Sequence, residues 1–147
     1  MTACSSDDNK QSSDFEPVAV EEILNGNLSG GDRVGIGQEN RVIVTVVDWQ
    51  ELIDQIDYIE GGNESIIRIL ENVSIDFQQE EVLAVFEEVK TTGGYSIDIT
   101  NVEEREKEVV VTIERLKKGG DDTVITQPFH IVKIPKINKS VVFVEVD

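Results

Sequence analysis

Cysteine and histidine, two of the residue types most used in chemistry, occur once each in this 147-residue chain, as Cys4 and His130. A lone pair of this kind forms no internal disulfide and no cysteine–histidine zinc set within one chain. Carboxylates are plentiful, with 30 acidic residues against 13 basic ones, yet their spacing does not converge. The adjacent pairs Glu87-Glu88 and Asp121-Asp122 point to opposite faces if extended, so each reads as a solvated turn or strand end. The acidic stretch from Asp57 to Glu64 lacks oxygen ligands at the offsets a calcium loop needs. His130 stands in a strand-like segment beside Phe129 without a second ligand or nucleophile, which makes it a structural or exposed histidine. Gly35-Ile36-Gly37 begins like a phosphate-binding pattern, but Asn40 occupies the third glycine's place and no crossover helix follows directly. The expectation is no metal, no cofactor and no enzyme. A hydrolase using clustered carboxylates stays as an alternative, needing a concave pocket that holds a carboxylate of raised pKa.

The residues that do stand out are Thr91-Thr92-Gly93-Gly94-Tyr95. Glycine reaches positive φ without steric penalty, so two adjacent glycines allow the chain to reverse between strand-like segments on either side. Thr92, Gly93, Gly94 and Tyr95 are therefore the candidate binding residues, with 129–136 nearby. The plainer reading of the same run is a hairpin connection that sets chain direction only.

The elements positioning this loop follow from periodicity. Val82-Leu83-Ala84-Val85-Phe86 is an unbroken apolar run, the pattern of a strand buried on both faces. After the loop, Tyr95, Ile97 and Ile99 alternate with polar residues, as in a strand with one wet face. Upstream, a first strand is expected over 15–24, turns at Asn25-Gly26 and Gly30-Gly31, and a second strand over 41–46. A helix over 48–58 follows, with Asp48 as its cap, Glu51 closing a capping box, and Val47 and Leu52 as a staple. Trp49, Leu52, Ile53, Ile56 and Ile59 recur at helical spacing on one face, making Trp49 a core anchor. Residues 66–73 read equally as a short helix or an irregular connection. Further strands are expected over 95–102, 108–116, 124–134 and 141–146. Pro128 and Pro135 place their strand at a sheet edge or at a bulge. The fold class is α+β: an antiparallel sheet or sandwich of six to seven strands with one amphipathic helix packed on it.

A net charge of −17 opposes binding to nucleic acid and to anionic lipid surfaces. No run approaches the roughly 20 apolar residues a membrane helix needs. Residues 1–16 read as a polar tether, and 17–147 as one domain.

Several stretches resemble known families. Thr2-Ala3-Cys4 followed by serines and aspartates looks like a bacterial lipobox with the export signal of Bacteroidetes-type surface lipoproteins. That resemblance implies lipidation of Cys4 and a location at the outer membrane or cell surface of a Gram-negative bacterium, with the periplasm as the alternative. The other reading is a disordered cytosolic tail with an incidental cysteine. Ile75-Asp76-Phe77, Val82 to Phe86, Thr92-Gly93-Gly94-Tyr95-Ser96-Ile97 and Pro128-Phe129-His130-Ile131-Val132-Lys133-Ile134-Pro135-Lys136 resemble the PrcB C-terminal domain, with weaker similarity back to 42–52. Thr91 stands where that family commonly has proline. The resemblance implies a non-catalytic accessory module acting through contacts with a protein partner, a protease among the candidates. Thr92-Gly93-Gly94-Tyr95 also resembles the loop of chagasin-type peptidase inhibitors, which implies, as an alternative, inhibition by loop insertion.

Overall fold

The run Val82 to Phe86 is buried without interruption because its strand is covered on both sides, by helices on one face and by a second sheet on the other. The computed structural model describes residues 15–29, 35–61 and 64–146. In chain order these form β1 (Phe15–Pro17), β2 (Glu21–Leu28), β3 (Glu39–Ile43), α1 (Val46–Glu60), α2 (Glu64–Asn72), β4 (Glu80–Phe86), β5 (Asp98–Arg105), β6 (Glu108–Glu114), β7 (Gln127–Pro135) and β8 (Ser140–Val146). One sheet has the order β2-β7-β4-β3 and the other β1-β5-β6-β8. All pairs are antiparallel except β6 and β8, which run parallel. The α+β class holds, with eight strands and two helices among the described residues in place of six to seven strands and one helix. No helix of the described residues is long and apolar enough to cross a membrane.

Alternation along β4 and β7 divides two cores. Val82, Ala84, Phe86, Phe129 and Ile131 face the helices, while Leu83, Val85, Val132 and Ile134 face the second sheet. On the helix side, Trp49, Leu52, Ile53, Ile56 and Ile59 are all buried, the stripe expected from their spacing. The helix begins earlier than the acidic residues suggest. Thr45, not Asp48, is its cap: the Thr45 side chain accepts a bond from the Asp48 N–H, and Val47 lies exposed, so no staple forms. Glu64–Asn72 resolves the open reading of 66–73 as a helix, with Ile67 and Leu70 buried.

Three further expectations are corrected. The stretch 15–24 is split between β1 and β2, which belong to different sheets, and Asn25-Gly26 continues β2 opposite His130 and Phe129 instead of turning. The glycine run joins no hairpin, since β4 and β5 lie in different sheets and the chain crosses between them. The proline-bearing strand β7 is interior, not an edge. Pro135 ends it opposite Glu80, the first residue of β4, and the Pro128 carbonyl accepts from Glu87, one residue past β4. The missing proline N–H groups therefore fall at the two ends of the β4 ladder, where no strand partner is lost. Cys4 and Gly30-Gly31 lie outside the described residues.

Candidate functional site

Two glycine-rich segments interlock at one end of the molecule, the crossing 87–97 and the β6–β7 connection 115–126. Lys90 and Thr126 exchange backbone bonds of 2.7 and 3.0 Å. The Gly93 N–H donates to Asp122 at 2.9 Å, the Gly93 carbonyl accepts from Gly120 at 2.8 Å, and the Gly94 carbonyl accepts from Gly119 at 3.0 Å. Tyr95 bridges to Lys118, the Ser96 N–H donates to the Lys117 carbonyl, and the Thr126 hydroxyl donates to the Thr92 carbonyl. A freely offered tip is not what forms: most of the backbone groups at the double glycine are already taken.

Glycine is required here by space as well as by dihedral angle. Gly94 has φ +87°, and a Cβ there would stand 2.8 Å from the Gly120 nitrogen. Gly119 has φ +109°, and a Cβ there would stand 2.5 Å from the Tyr95 ring. Both angles are strained for any residue with a side chain. Tyr95 thus packs on the bare Gly119 backbone, and Lys90 Nζ stands 4.8 Å from the ring centroid in a cation–π contact. Thr92, Gly93 and Tyr95 are half-buried and Gly94 is exposed.

A polar network beneath the loops ties the two sheets together. Glu87, expected in solvent, is 2% exposed. Its carboxylate accepts from Gln38 Nε2 at 2.9 Å, from the Glu88 N–H at 2.9 Å and from the Arg115 guanidinium. Arg115 also donates to Glu145 at 2.8 Å, and Gln127 Nε2 donates to the carbonyls of Ile36 and Glu87. Burial pushes the Glu87 carboxyl up, but the bonds from Arg115 and Glu88 and the charges of Arg115 and Lys90 outweigh it and hold the group below the ordinary value. The hydrogen bond from Arg115 to Glu87 raises the guanidinium pKa in turn. Glu87 was legible only as an acid placed directly after a fully apolar strand, a position that carries its side chain into the sandwich end.

His130 is structural. It is buried, its Nδ1 accepts from the Ile99 N–H at 2.8 Å, and Nε2, which must then carry the proton, donates to Glu22 at 3.0 Å. One imidazole thereby links β7 to the other sheet at the irregularity between Ile99 and Asn101. Nearby, Asp98 accepts from Ser96 Oγ, the Leu116 N–H and Asn25 Nδ2. Burial raises its pKa, and these bonds bring it below the ordinary value.

Chemistry elsewhere is sparse. The described residues contain no cluster of three or more His, Cys, Asp or Glu able to hold a metal ion. A groove of about 690 Å³ brings Glu21, Asp76 and Glu80 around Lys133. A bond from the Asp76 backbone and the Lys133 ammonium lower the Glu80 pKa. Glu80, Glu87 and Asp98 are all held below their ordinary values, the opposite of what a general acid needs.

The loop end exposes apolar side chains among charged ones such as Lys117, Lys118, Asp121 and Asp122. Val89, Leu116, Val124 and Ile125, all on the two interlocked segments, are between 47% and 63% exposed. Apolar residues gathered on loops held by a rigid frame mark a contact surface more often than scattered ones do.

The family model described as PrcB C-terminal matches residues 82–135, from within β4 to the last residue of β7. The resemblance read over 75–136 is met across that span, while Ile75-Asp76-Phe77 and 42–52 fall outside it. Every buried side chain of the core between the sheets lies inside the matched residues, as do the interlocked loops. No curated protein and no solved structure matches the chain.

Proposed function

From the PrcB C-terminal match over residues 82–135, we propose a non-catalytic protein-interaction module of the bacterial cell surface, an accessory unit for a partner such as a protease complex. The interlocked loops are its contact surface. The observation that carries this reading is the set of exposed apolar side chains, Val89, Leu116, Val124 and Ile125, on segments whose backbone is pinned by Gly93, Gly94, Gly119 and Gly120. A preformed loop end loses little conformational entropy on binding, so its contacts translate more fully into affinity. Lipid on Cys4 would hold the module at the outer membrane through the tether, and mass spectrometry of the native amino terminus tests that anchor.

The loop surface is tested by replacing Leu116 and Val124 with aspartate. Both side chains are exposed, so stability should change by no more than about 0.5 kcal/mol. Cross-linking on intact cells should lose the partner captured by the wild-type protein. Retained capture by this folded double variant would overturn the assignment. Gly94→Val serves as a companion, because it distorts the loop pairing without adding charge, and it should weaken the same capture.

A further inference from the structure

Four strands edge the two sheets, β1 and β8 in one and β2 and β3 in the other, and three of them are guarded against pairing. β1 has three residues and ends in Pro17. β2 breaks register between Glu22 and Leu24 and carries Glu21 and Glu22. β3 has five residues, three of them Glu39, Asn40 and Arg41. Short length, proline, irregularity and charge are the usual means by which edges avoid another chain.

Among the described residues, β8 is the least guarded of the four. Its seven residues, Ser-Val-Val-Phe-Val-Glu-Val, pair with β6 in unbroken register. Its one charge, Glu145, is held by Arg115 at 2.8 Å, and Lys139 just before it is held by Glu104 at 2.7 Å and by the Arg105 carbonyl at 2.8 Å. Val142, Val144 and Val146 lie open on the face turned away from the core, beside Val110 of β6. A β-branched run on an edge left unpaired among the described residues is a template for strand addition.

We propose that β8 is a self-association edge, on which two copies of this chain pair antiparallel about a two-fold axis near Phe143 and merge their outer sheets into one. The occupant follows from the charge order along the strand. Lys136 and Lys139 precede it and Glu145 is its penultimate residue, so antiparallel self-pairing about Phe143 brings no like charges of the two copies opposite each other. Val142 of one copy then faces Val144 of its twin, and the valines make one apolar strip on the outer face. The loop end of each copy, at the Glu145 end of β8, points away from the axis, so this proposal does not depend on the loop surface.

The net charge of −17 per chain gives the dimer an unusual signature. Long-range repulsion opposes association, and salt screens it, so pairing should tighten as ionic strength rises. Sedimentation equilibrium of the full chain at low and high salt reads this directly. The expected result is a monomer–dimer equilibrium strengthened by salt. Val142→Lys combined with Val144→Lys, which sets like charges opposite each other, should weaken it by at least about tenfold, equivalent to 1.4 kcal/mol. If that variant folds poorly, hydrogen exchange on the wild-type chain gives an independent reading: protection of 140–146 should rise with protein concentration while 89–125 stays unchanged. A chain that remains monomeric to about 1 mM at both salts, a dimer weakened by salt, or a dimer indifferent to the double lysine variant would overturn the proposal.

Discussion

The two cores of this protein meet on the same two strands but are assembled differently. On the helix side, β4 and β7 are covered by Trp49, Leu52, Ile53, Ile56 and Ile59 of α1 and by Ile67 and Leu70 of α2, side chains delivered by contiguous stretches of chain. Between the sheets, Leu83, Val85, Ile97, Ile99, Val102, Val109, Val111, Ile113, Val132 and Ile134 come together from four strands and, at Ile97, the crossing before β5, all within the residues the PrcB C-terminal model matches. The matched span supplies the fully buried core between the sheets and the loop end, whereas the helices and the strands β1, β2, β3 and β8 come from outside it. A locally encoded layer can open without the rest; a core shared by distant strands cannot.

The sharpest way to break that contrast is a pair of cavities. Leu52→Ala and Ile113→Ala both empty fully buried sites, and each should cost about 2–5 kcal/mol. Hydrogen exchange should separate them: Leu52→Ala should release 46–72 before the sheets, while Ile113→Ala should accelerate exchange throughout. Equal global acceleration in both would show that the helix layer is not separable.

A smaller effect concerns the network joining the two sheets beneath the loops. Hydrogen bonds to a charged group contribute about 1.5–3 kcal/mol, and Glu87→Gln should remove a share of that size. Glu87 and Asp98 are both held below their ordinary pKa values. A lowered folded pKa means stabilisation that is complete above the unfolded value and is lost as pH falls through the folded one. Denaturation midpoints should therefore hold down to about the ordinary carboxyl range and fall in stronger acid. Glu87→Gln should flatten that acid limb, and an unchanged limb would remove Glu87 from the account.

The smallest expected effect belongs to the helix layer alone. Thr45→Ala deletes the cap of α1 and should cost about 1 kcal/mol. Faster exchange should be confined to the first turns of that helix.

Legibility in the sequence followed the same division. The α1 stripe was readable because i, i+3 and i+4 contacts are local, and the β4 run was readable because burial on both faces leaves no polar alternation. Thr45 was passed over for Asp48 because both are good caps and only the dihedral angles decide where the helix begins. The interior place of β7 is unreadable because proline in a strand signals an edge or a bulge, whereas the missing donors of Pro128 and Pro135 fall at the ends of the β4 ladder. The double glycine was correctly singled out as demanding, but its partner segment, Lys118-Gly119-Gly120, is remote in sequence and nothing local joins the two.

By itself, then, the amino-acid order determined the helix face, the doubly buried strand and a turn-forming glycine pair at 93–94, since each rests on neighbours within a few residues. Only the tertiary structure decided which sheet each strand joins, that Glu87 goes inside to meet Arg115, and which sheet edge is left least guarded. Those outcomes depend on pairings between segments far apart in sequence, where many registers satisfy the local pattern and mutual packing selects one.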